Sequence, residues 1–260
     1  VQTCIVDVKD WMSHNKLKLN DDKTEALLFR KRSARLTDGP TSIRVGDTDI
    51  CFSSSARNLG FTITSDMTLD KHISNICRSA YFELRKISTI RHTLSVQTTN
   101  TLVCAFVLSK LDYCNSLLSG CPLYLIQKLQ KLQNSAARLV LKARKSDHAT
   151  PLLRTLHWLP IKSRIDYKLS TLCFNFFSGS SPAYFSELLT VYTPTRQLRS
   201  SSDTRILLVP RTKTKTYGHR TFTYSASTQW NSLPYNIRHM QSPQAFKRAI
   251  KTHLFRAHFG

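Results

Sequence analysis

The spacing of apolar residues changes near position 69, and this change divides the chain into two kinds of predicted structure. The opening residues carry apolar side chains at helical spacing, which predicts an amphipathic helix that ends near His14. Residues 17–29 follow with two short apolar runs around a polar connector at 20–24, which predicts a strand, a tight turn and a second strand.

Two further apolar runs, at 43–45 and 50–52, flank the turn residues Gly46 and Asp47. They predict a hairpin whose connector is longer than the two residues of an ideal hairpin. Another strand is predicted over 57–64. This part of the chain is therefore expected to form a small antiparallel sheet with one packed helix.

From Leu69 onward apolar residues recur every three to four positions, which predicts helices. Ser95 is the expected N-cap of a helix that is buried on nearly all sides. Pro122 fits the first turn of the next helix, residues 161–177 form another, and the last begins near Ser242.

The predicted fold class is thus α+β, with a small antiparallel sheet followed by a mainly helical bundle. Three regions are expected: 1–68 with the sheet, 69–180 with the helices, and 181–260 as a basic region that ends in a helix. Residues 193–209 lack periodicity and are rich in Ser, Thr and Arg, which indicates a mobile loop.

The charge composition of the chain suggests a class of binding partner. The 260 residues include 38 Lys and Arg but 16 Asp and Glu, a formal net charge of +22. Ten of the acidic residues lie at or before Asp70, and none follows Asp203. So large an excess of positive charge favours a polyanionic partner, and nucleic acid is the expected one.

The predicted helix after Pro122 carries basic residues on the face opposite its apolar one: Lys128, Lys131, Arg138, Lys142 and Lys145. A solvated surface would have a similar pattern. No Asp or Glu is interleaved to pair with these residues, so the pattern favours contact with phosphates.

Other candidate chemistry is sparse. Asp21 and Asp22 form the only adjacent acidic pair, but Asp at a turn more often bonds to its own backbone, so no metal site is assigned. Seven cysteines without repeated spacing indicate free thiols rather than a disulfide framework. No apolar run reaches the ~18 residues of a membrane span, and the protein is expected in the cytoplasm or the nucleus.

Two segments resemble motifs of a known polymerase family. The first segment looks like the palm motif lettered D of non-LTR (LINE-type, jockey-like) retrotransposon reverse transcriptases. It comprises Trp11, residues 16–20, Lys23 to Glu25 and residues 27–29. Residues 58–61 with Leu69, His72 and Ile73 are similar to the following motif E, the primer-grip hairpin. Residues 111–120, 129–140 and 230–238 look like the thumb and C-terminal region of these elements, so the resemblance covers essentially the whole chain.

The resemblance implies specific roles. In these polymerases the lysine of motif D approaches the phosphates of the incoming nucleotide and can protonate the leaving pyrophosphate, which gives this role to Lys23. Leu59 and Gly60 would lie in the primer grip, where Gly60 permits either a tight bend or a bulge. RNA template and DNA primer are the implied partners, with the N-terminal polymerase and endonuclease portion of such elements as a further one.

The family's metal-binding aspartates belong to palm strands that would precede Val1. The resemblance therefore implies a partial palm, a thumb-like bundle and a basic tail. This chain is expected to bind no cofactor and not to polymerise alone, and Mg²⁺ is expected only in the complete polymerase. Two alternatives remain: a non-enzymatic nucleic-acid-binding protein or pseudogene product of retroelement origin, and a protein-interaction module built on the helices.

Overall fold

A computed structural model of the chain describes residues 2–20, 23–29, 40–45, 48–194 and 203–260. These residues divide into two compact units, Val1–Ser74 and Asn75–Gly260. Short strands belong to the first unit and helices make up most of the second, so the predicted α+β class is confirmed. No helix in the described part of the chain has both the length and the apolarity needed to cross a membrane.

The first unit opens with helix α1 (Gln2–His14), which ends where the sequence predicts. Lys16 follows with a left-handed backbone (φ 60°), and the Leu17 N–H donates a hydrogen bond of 2.8 Å to the Met12 carbonyl. This bond closes the C-terminus of the helix. Because the helix end uses the Leu17 N–H, the strand predicted from Leu17 does not form, and that prediction is wrong.

Three short strands form one sheet in the order β1-β3-β2. Strand β1 (Ala26–Leu27) runs parallel to β3 (Thr48–Ser53), whereas β2 (Ser42–Val45) runs antiparallel to it. Val45 pairs with Thr48, so the connector is shorter than the sequence suggested. A second sheet is the antiparallel hairpin of β4 (Ser55–Asn58) and β5 (Phe61–Thr64).

The described part of the chain from residue 70 onward is mainly helical; the long helices lie where the apolar periodicity predicted them, and several short helices, among them 185–188 and 215–218, were not predicted. The helices are α2 (Asp70–Ile90), α3 (Val96–Val103), α4 (Ser109–Asp112), α5 (Leu123–Leu141), α6 (Ala149–Thr155), α7 (Ile161–Phe177), α8 (Phe185–Leu188), α9 (Lys215–Gly218), α10 (Phe222–Asn231), α11 (Tyr235–Arg238) and α12 (Pro243–Phe259).

Two predicted helix starts are confirmed by their caps. Ser95 Oγ accepts the Thr98 N–H at 3.0 Å at the start of α3, and Ser242 Oγ accepts the Ala245 N–H at 3.4 Å at the start of α12. A π-helical turn (Cys104–Leu108) joins α3 to α4. Phe106 in this turn is 50% exposed, so the prediction that this segment is buried nearly all round is wrong.

Helix α7 forms the centre of the second unit, where it packs against α10 and α12. The rings of Phe174 and Phe246 stack at 4.3 Å, and Phe177 stacks on Trp230 at 5.2 Å. Each large apolar side chain buried here stabilises the fold by about 1.5–3 kcal/mol. The region predicted as 181–260 thus shares one core with the helices before it.

Polar bonds join α5 to the start of α7. Gln133 is fully buried, and its Nε2 donates to the Leu159 carbonyl at 2.8 Å. Gln130 Oε1 accepts the Ile161 N–H at 2.9 Å and so satisfies a donor that the first turn of α7 leaves open.

The segment predicted as a mobile loop, residues 193–209, lies partly outside the described residues. Its described end is anchored, because Leu207 is buried and forms an antiparallel bridge with Val191. Asn231 also bonds to both the N–H and the carbonyl of Leu207, at 2.9 and 2.7 Å. Residues 203–209 are therefore a loop, as predicted, but one that is anchored at Leu207.

Candidate nucleic-acid interface

A cleft of about 610 Å³ lies between α2 and the C-terminal end of α5 in the second unit. Five of the residues that line it are basic, and none of these lining residues is acidic. The lining residues are Tyr81, Leu84, Arg85, Ser88, Arg91, Ser135, Arg138, Leu139, Lys142, Ala143 and Lys145. We call this feature the α2–α5 cleft.

The basic residues predicted on α5 do follow one face of the helix. Positions 128, 131, 138 and 142 are separated by intervals that bring side chains to the same side of an α-helix. The structure places Arg138, Lys142 and Lys145 in the cleft, whereas Lys128 and Lys131 are exposed on earlier turns and do not line it.

Lys128 nonetheless lies close enough to α2 to act on it electrostatically. Burial raises the pKa of the Cys77 thiol on α2, and the positive charge of Lys128 partly offsets that effect. The cationic face of α5 therefore continues beside α2 beyond the cleft itself.

Helix α2 contributes a second basic face, which the spacing of residues in α5 did not predict. Arg78, Tyr81, Arg85 and Ser88 recur at helical spacing, and both arginines are exposed. The same helix buries Ala80, Leu84 and Ile87 on the adjoining face. The signal was present in the sequence as the polar complement of an apolar stripe.

Arg91 lines the cleft but holds the helices in place rather than offering a free charge. Its side chain is buried, and its Nε and Nη2 donate to the Leu139 and Val140 carbonyls at 2.9 and 2.7 Å. Nη1 donates to the Leu94 carbonyl at 2.7 Å. A cation at the C-terminus of α5 satisfies its last carbonyls and opposes the negative end of the helix dipole.

Arg138 also has a structural role within the cleft. Its Nε and Nη2 donate to the Asp147 carbonyl at 3.2 and 2.8 Å. The Asp147 carboxylate accepts the Arg144 N–H at 2.7 Å, which closes a turn. Arg138 thereby fixes the loop that carries Lys145.

Lys142 occupies an unusual backbone conformation at the end of α5. Its φ is +53°, and the following Ala143 N–H donates to the Arg138 carbonyl at 3.0 Å. Glycine is the usual residue at such a left-handed helix end, and a side chain there costs about 1 kcal/mol.

In the first unit, Lys23 is exposed in a short turn. Its N–H donates to the carbonyl and to Oδ1 of Asn20, each at 3.2 Å. The neighbouring Asp21 and Asp22 lie outside the described residues. In the described part of the chain, no three His, Cys, Asp or Glu side chains gather as a metal site. All seven cysteines are free thiols, as predicted.

Leu59 and Gly60 form the turn of the β4–β5 hairpin. They lie between the paired Asn58 and Phe61, with φ values of +46° and +84°. Positive φ at both central residues defines the tight turn that matches strand twist, so Gly60 lies in a turn and not in a bulge. Leu59 is at the tip and 85% exposed.

His72 supports this hairpin from the first turn of α2. It is buried, its Nδ1 accepts the Thr62 N–H at 3.3 Å, and its ring lies 4.0 Å from that of Phe61. Burial lowers the pKa of His72, which keeps the ring neutral and able to accept this bond. The spacing of residues 58–61 and His72 thus has a structural reason.

Some basic residues of the C-terminal region are committed to internal bonds. Arg238 is buried, and its Nη2 lies 2.7 Å from Asp203 Oδ2, while His239 Nε2 lies 2.9 Å from Asp203 Oδ1. Burial alone would raise the pKa of Asp203, but the bonds from His239 and the Arg205 N–H, with the charge of Arg238, lower it. Arg238 is therefore not free to bind a partner.

Comparison with known proteins adds no relative: no protein-family model, curated protein or solved structure matches this chain.

Proposed function

We propose that the second unit binds the phosphate backbone of nucleic acid along the α2–α5 cleft. The observation that carries this proposal is the pair of basic faces, one on each helix, on either side of a groove lined without acidic residues. Arg85 comes from α2, and Lys142 and Lys145 from the end of α5. Phosphate binding relieves the mutual repulsion of these cations and releases the counterions of the nucleic acid.

The cleft also contains an exposed aromatic side chain. Tyr81 is 42% exposed at its edge, and an exposed aromatic ring is a platform on which bases stack. Arg91 and Arg138 hold the helix end and its loop in place, so the binding lysines are presented on a rigid support.

We further propose that the chain is the C-terminal part of a non-LTR retrotransposon reverse transcriptase, with the second unit in the role of the thumb. In the first unit, Lys23 would contact the phosphates of the incoming nucleotide, and the hairpin tip at Leu59 and Gly60 would contact the primer. The exposure of Leu59 in a tight turn supports a contact role. The metal-binding aspartates come from other palm strands in this family, so the chain binds primer–template without extending it.

The proposal is tested by replacing one cation of the cleft. Arg85→Ala should weaken binding to a short nucleic-acid duplex by about fivefold, because one phosphate contact is lost. Lys86→Ala is the matched control: it removes the same charge from the same helix. The Lys86 ammonium lies 3.8 Å from Glu83 and 4.3 Å above the Phe82 ring, and it does not line the cleft.

Binding is measured by fluorescence anisotropy at fixed ionic strength. Weaker binding of Arg85→Ala with near-normal binding of Lys86→Ala supports the cleft. Equal losses in both variants would show that only net charge matters, and the cleft would then be the wrong site.

A further inference from the structure

A groove of about 790 Å³ lies between α11 and α12 in the second unit and shares no lining residue with the α2–α5 cleft. One wall is α11 with the residues on either side of it, and the other is a face of α12 that does not enter the core. Of the described residues that line the groove, none is acidic. We call this feature the α11–α12 groove.

Helix α12 presents a row of small side chains to the groove. Ala245, Ala249 and Ala257 line it at intervals of four and eight residues, with His253 between the last two, so they follow one line along the helix. Ala245 and Ala257 are exposed and Ala249 is half-buried. Because alanine has a single side-chain carbon, the side chains of a partner can approach the backbone of α12 closely along this row.

A ridge of longer side chains runs beside the alanine row. Arg248, Thr252 and Arg256 recur every four residues on α12, line the groove and are exposed. A low row next to a high one is the surface into which the side-chain ridge of a second helix packs. The exposed face of α12 therefore has the shape of a helix-docking surface.

The opposite wall adds apolar surface that solvent can reach. Pro234 is exposed and Met240 is half-buried, and both line the groove. An unbranched methionine side chain adapts to the shape of a partner. The wall itself is fixed, because Arg205 Nη1 donates to the carbonyls of Arg238 and Met240 at 3.0 and 2.9 Å.

The two arginines of the ridge carry charge that the described residues do not neutralise. Neither Arg248 nor Arg256 forms an ion pair with another described residue, and no acidic residue follows Asp203 in the sequence. The two positions are two turns apart, or about 12 Å along the helix axis. Carboxylates two turns apart on a second helix have the same spacing and are complementary to this pair.

We propose that the α11–α12 groove docks an amphipathic partner helix whose apolar stripe is flanked by acidic side chains. The apolar stripe packs on the alanine row and Met240, and the carboxylates pair with Arg248 and Arg256.

The lining favours a protein helix over a nucleic acid as the occupant. Among the described residues that line the groove, none is Phe, Tyr, Trp or Lys, whereas the α2–α5 cleft has Tyr81 and two lysines. Accessible apolar side chains beside two arginines match an acidic amphipathic helix more closely than a phosphate backbone. The proposal does not rest on the proposed function of the α2–α5 cleft.

The experiment measures binding of a fluorescent model peptide to the full chain by anisotropy. The peptide has about 18 residues, enough for a helix, with leucines every three to four positions and glutamates on both sides of them. A peptide of the same composition in scrambled order has the same charge but no apolar stripe. We expect the amphipathic peptide to bind at least about fivefold more tightly than the scrambled one.

Two double variants on the same helix locate the site. Arg248→Glu with Arg256→Glu should weaken binding of the amphipathic peptide about tenfold or more, because it places carboxylates against carboxylates. Lys247→Glu with Lys251→Glu makes the same change of charge on α12 at exposed positions outside the groove, and should alter the affinity by no more than about twofold.

A third variant tests the shape of the groove without changing its charge. Ala249→Gln places a longer side chain in the alanine row and should weaken binding of the amphipathic peptide while leaving duplex affinity unchanged. Equal affinity for the two peptides, no binding of either, or equal losses in the two double variants would overturn the proposal. A larger effect of the arginine variant on duplex affinity than on peptide affinity would also overturn it, because the groove would then be a phosphate site.

Discussion

Two residues with side chains adopt left-handed backbone conformations at the surfaces proposed to bind ligands. Leu59 lies at the hairpin tip and Lys142 at the α2–α5 cleft, with φ of +46° and +53°. Each such conformation is unfavourable for a residue with a Cβ atom. Substitution at either position therefore changes the stability of the fold as well as any contact with a ligand.

Asp166 on α7 shows how burial acts on one carboxyl group. Burial raises its pKa to about 6, although the nearby Lys162 opposes the shift. An unfolded aspartate has a pKa near 3.9. Between about pH 4 and 6 the folded chain keeps a proton that the unfolded chain has lost, so stability falls as the pH rises through this window.

Asp166→Asn should therefore stabilise the protein at pH 7.5. The expected gain in the free energy of unfolding is about 1–3 kcal/mol, because the variant has no charge to bury. Below about pH 4 both proteins carry an uncharged group at this position, and the gain should disappear. Urea unfolding at the two pH values measures this difference; an equal gain at both would contradict the burial account.

At the scale of the elements, hydrophobic periodicity predicted the helices well and the first strand poorly. The helix α7 begins and ends where its apolar pattern does, because that pattern matches the face buried in the core. The apolar run at Leu17 was assigned to a strand, but the left-handed end of α1 uses the Leu17 N–H. A capping bond of this kind depends on backbone conformation and not on apolar spacing.

The sequence predicted the α5 side of the candidate site but not the α2 side. The basic face of α5 follows from the spacing of its own residues. A cleft requires two helices, however, and the spacing within α5 does not tell which helix packs beside it. Arg85 was missed on that account. The structural roles of Arg91 and Arg138 are equally tertiary, because their carbonyl partners lie in other segments or in the loop beyond the helix.

The end of α5 allows binding and stability to be separated. Lys142→Gly should raise the free energy of unfolding by about 0.5–1 kcal/mol, because glycine adopts positive φ without a Cβ clash. The same change should lower duplex affinity, because it removes a cation of the cleft.

Lys142→Ala is the matched control for this substitution. It removes the same charge but keeps the Cβ atom, so affinity should fall equally without any gain in stability. Chemical denaturation and duplex anisotropy give the two measurements. Unchanged affinity in both variants would exclude Lys142 from the binding surface.

At the scale of the whole molecule, some basic residues form internal bonds and others are exposed to solvent. Arg91, Arg164 and Arg238 are tied to carbonyls or carboxylates inside the helical unit. The lysines of the α2–α5 cleft are exposed instead. If the net charge of +22 serves a polyanionic partner, as we propose, the packing decides which cations can reach that partner.

The salt dependence of duplex binding tests this account most directly. Three phosphate contacts in the cleft, at Arg85, Lys142 and Lys145, should give a slope of about −3 in a plot of log affinity against log salt concentration, and Arg85→Ala should make the slope shallower by about 1. An affinity that does not change with salt, or a slope that Arg85→Ala leaves unaltered, would contradict phosphate binding in the α2–α5 cleft.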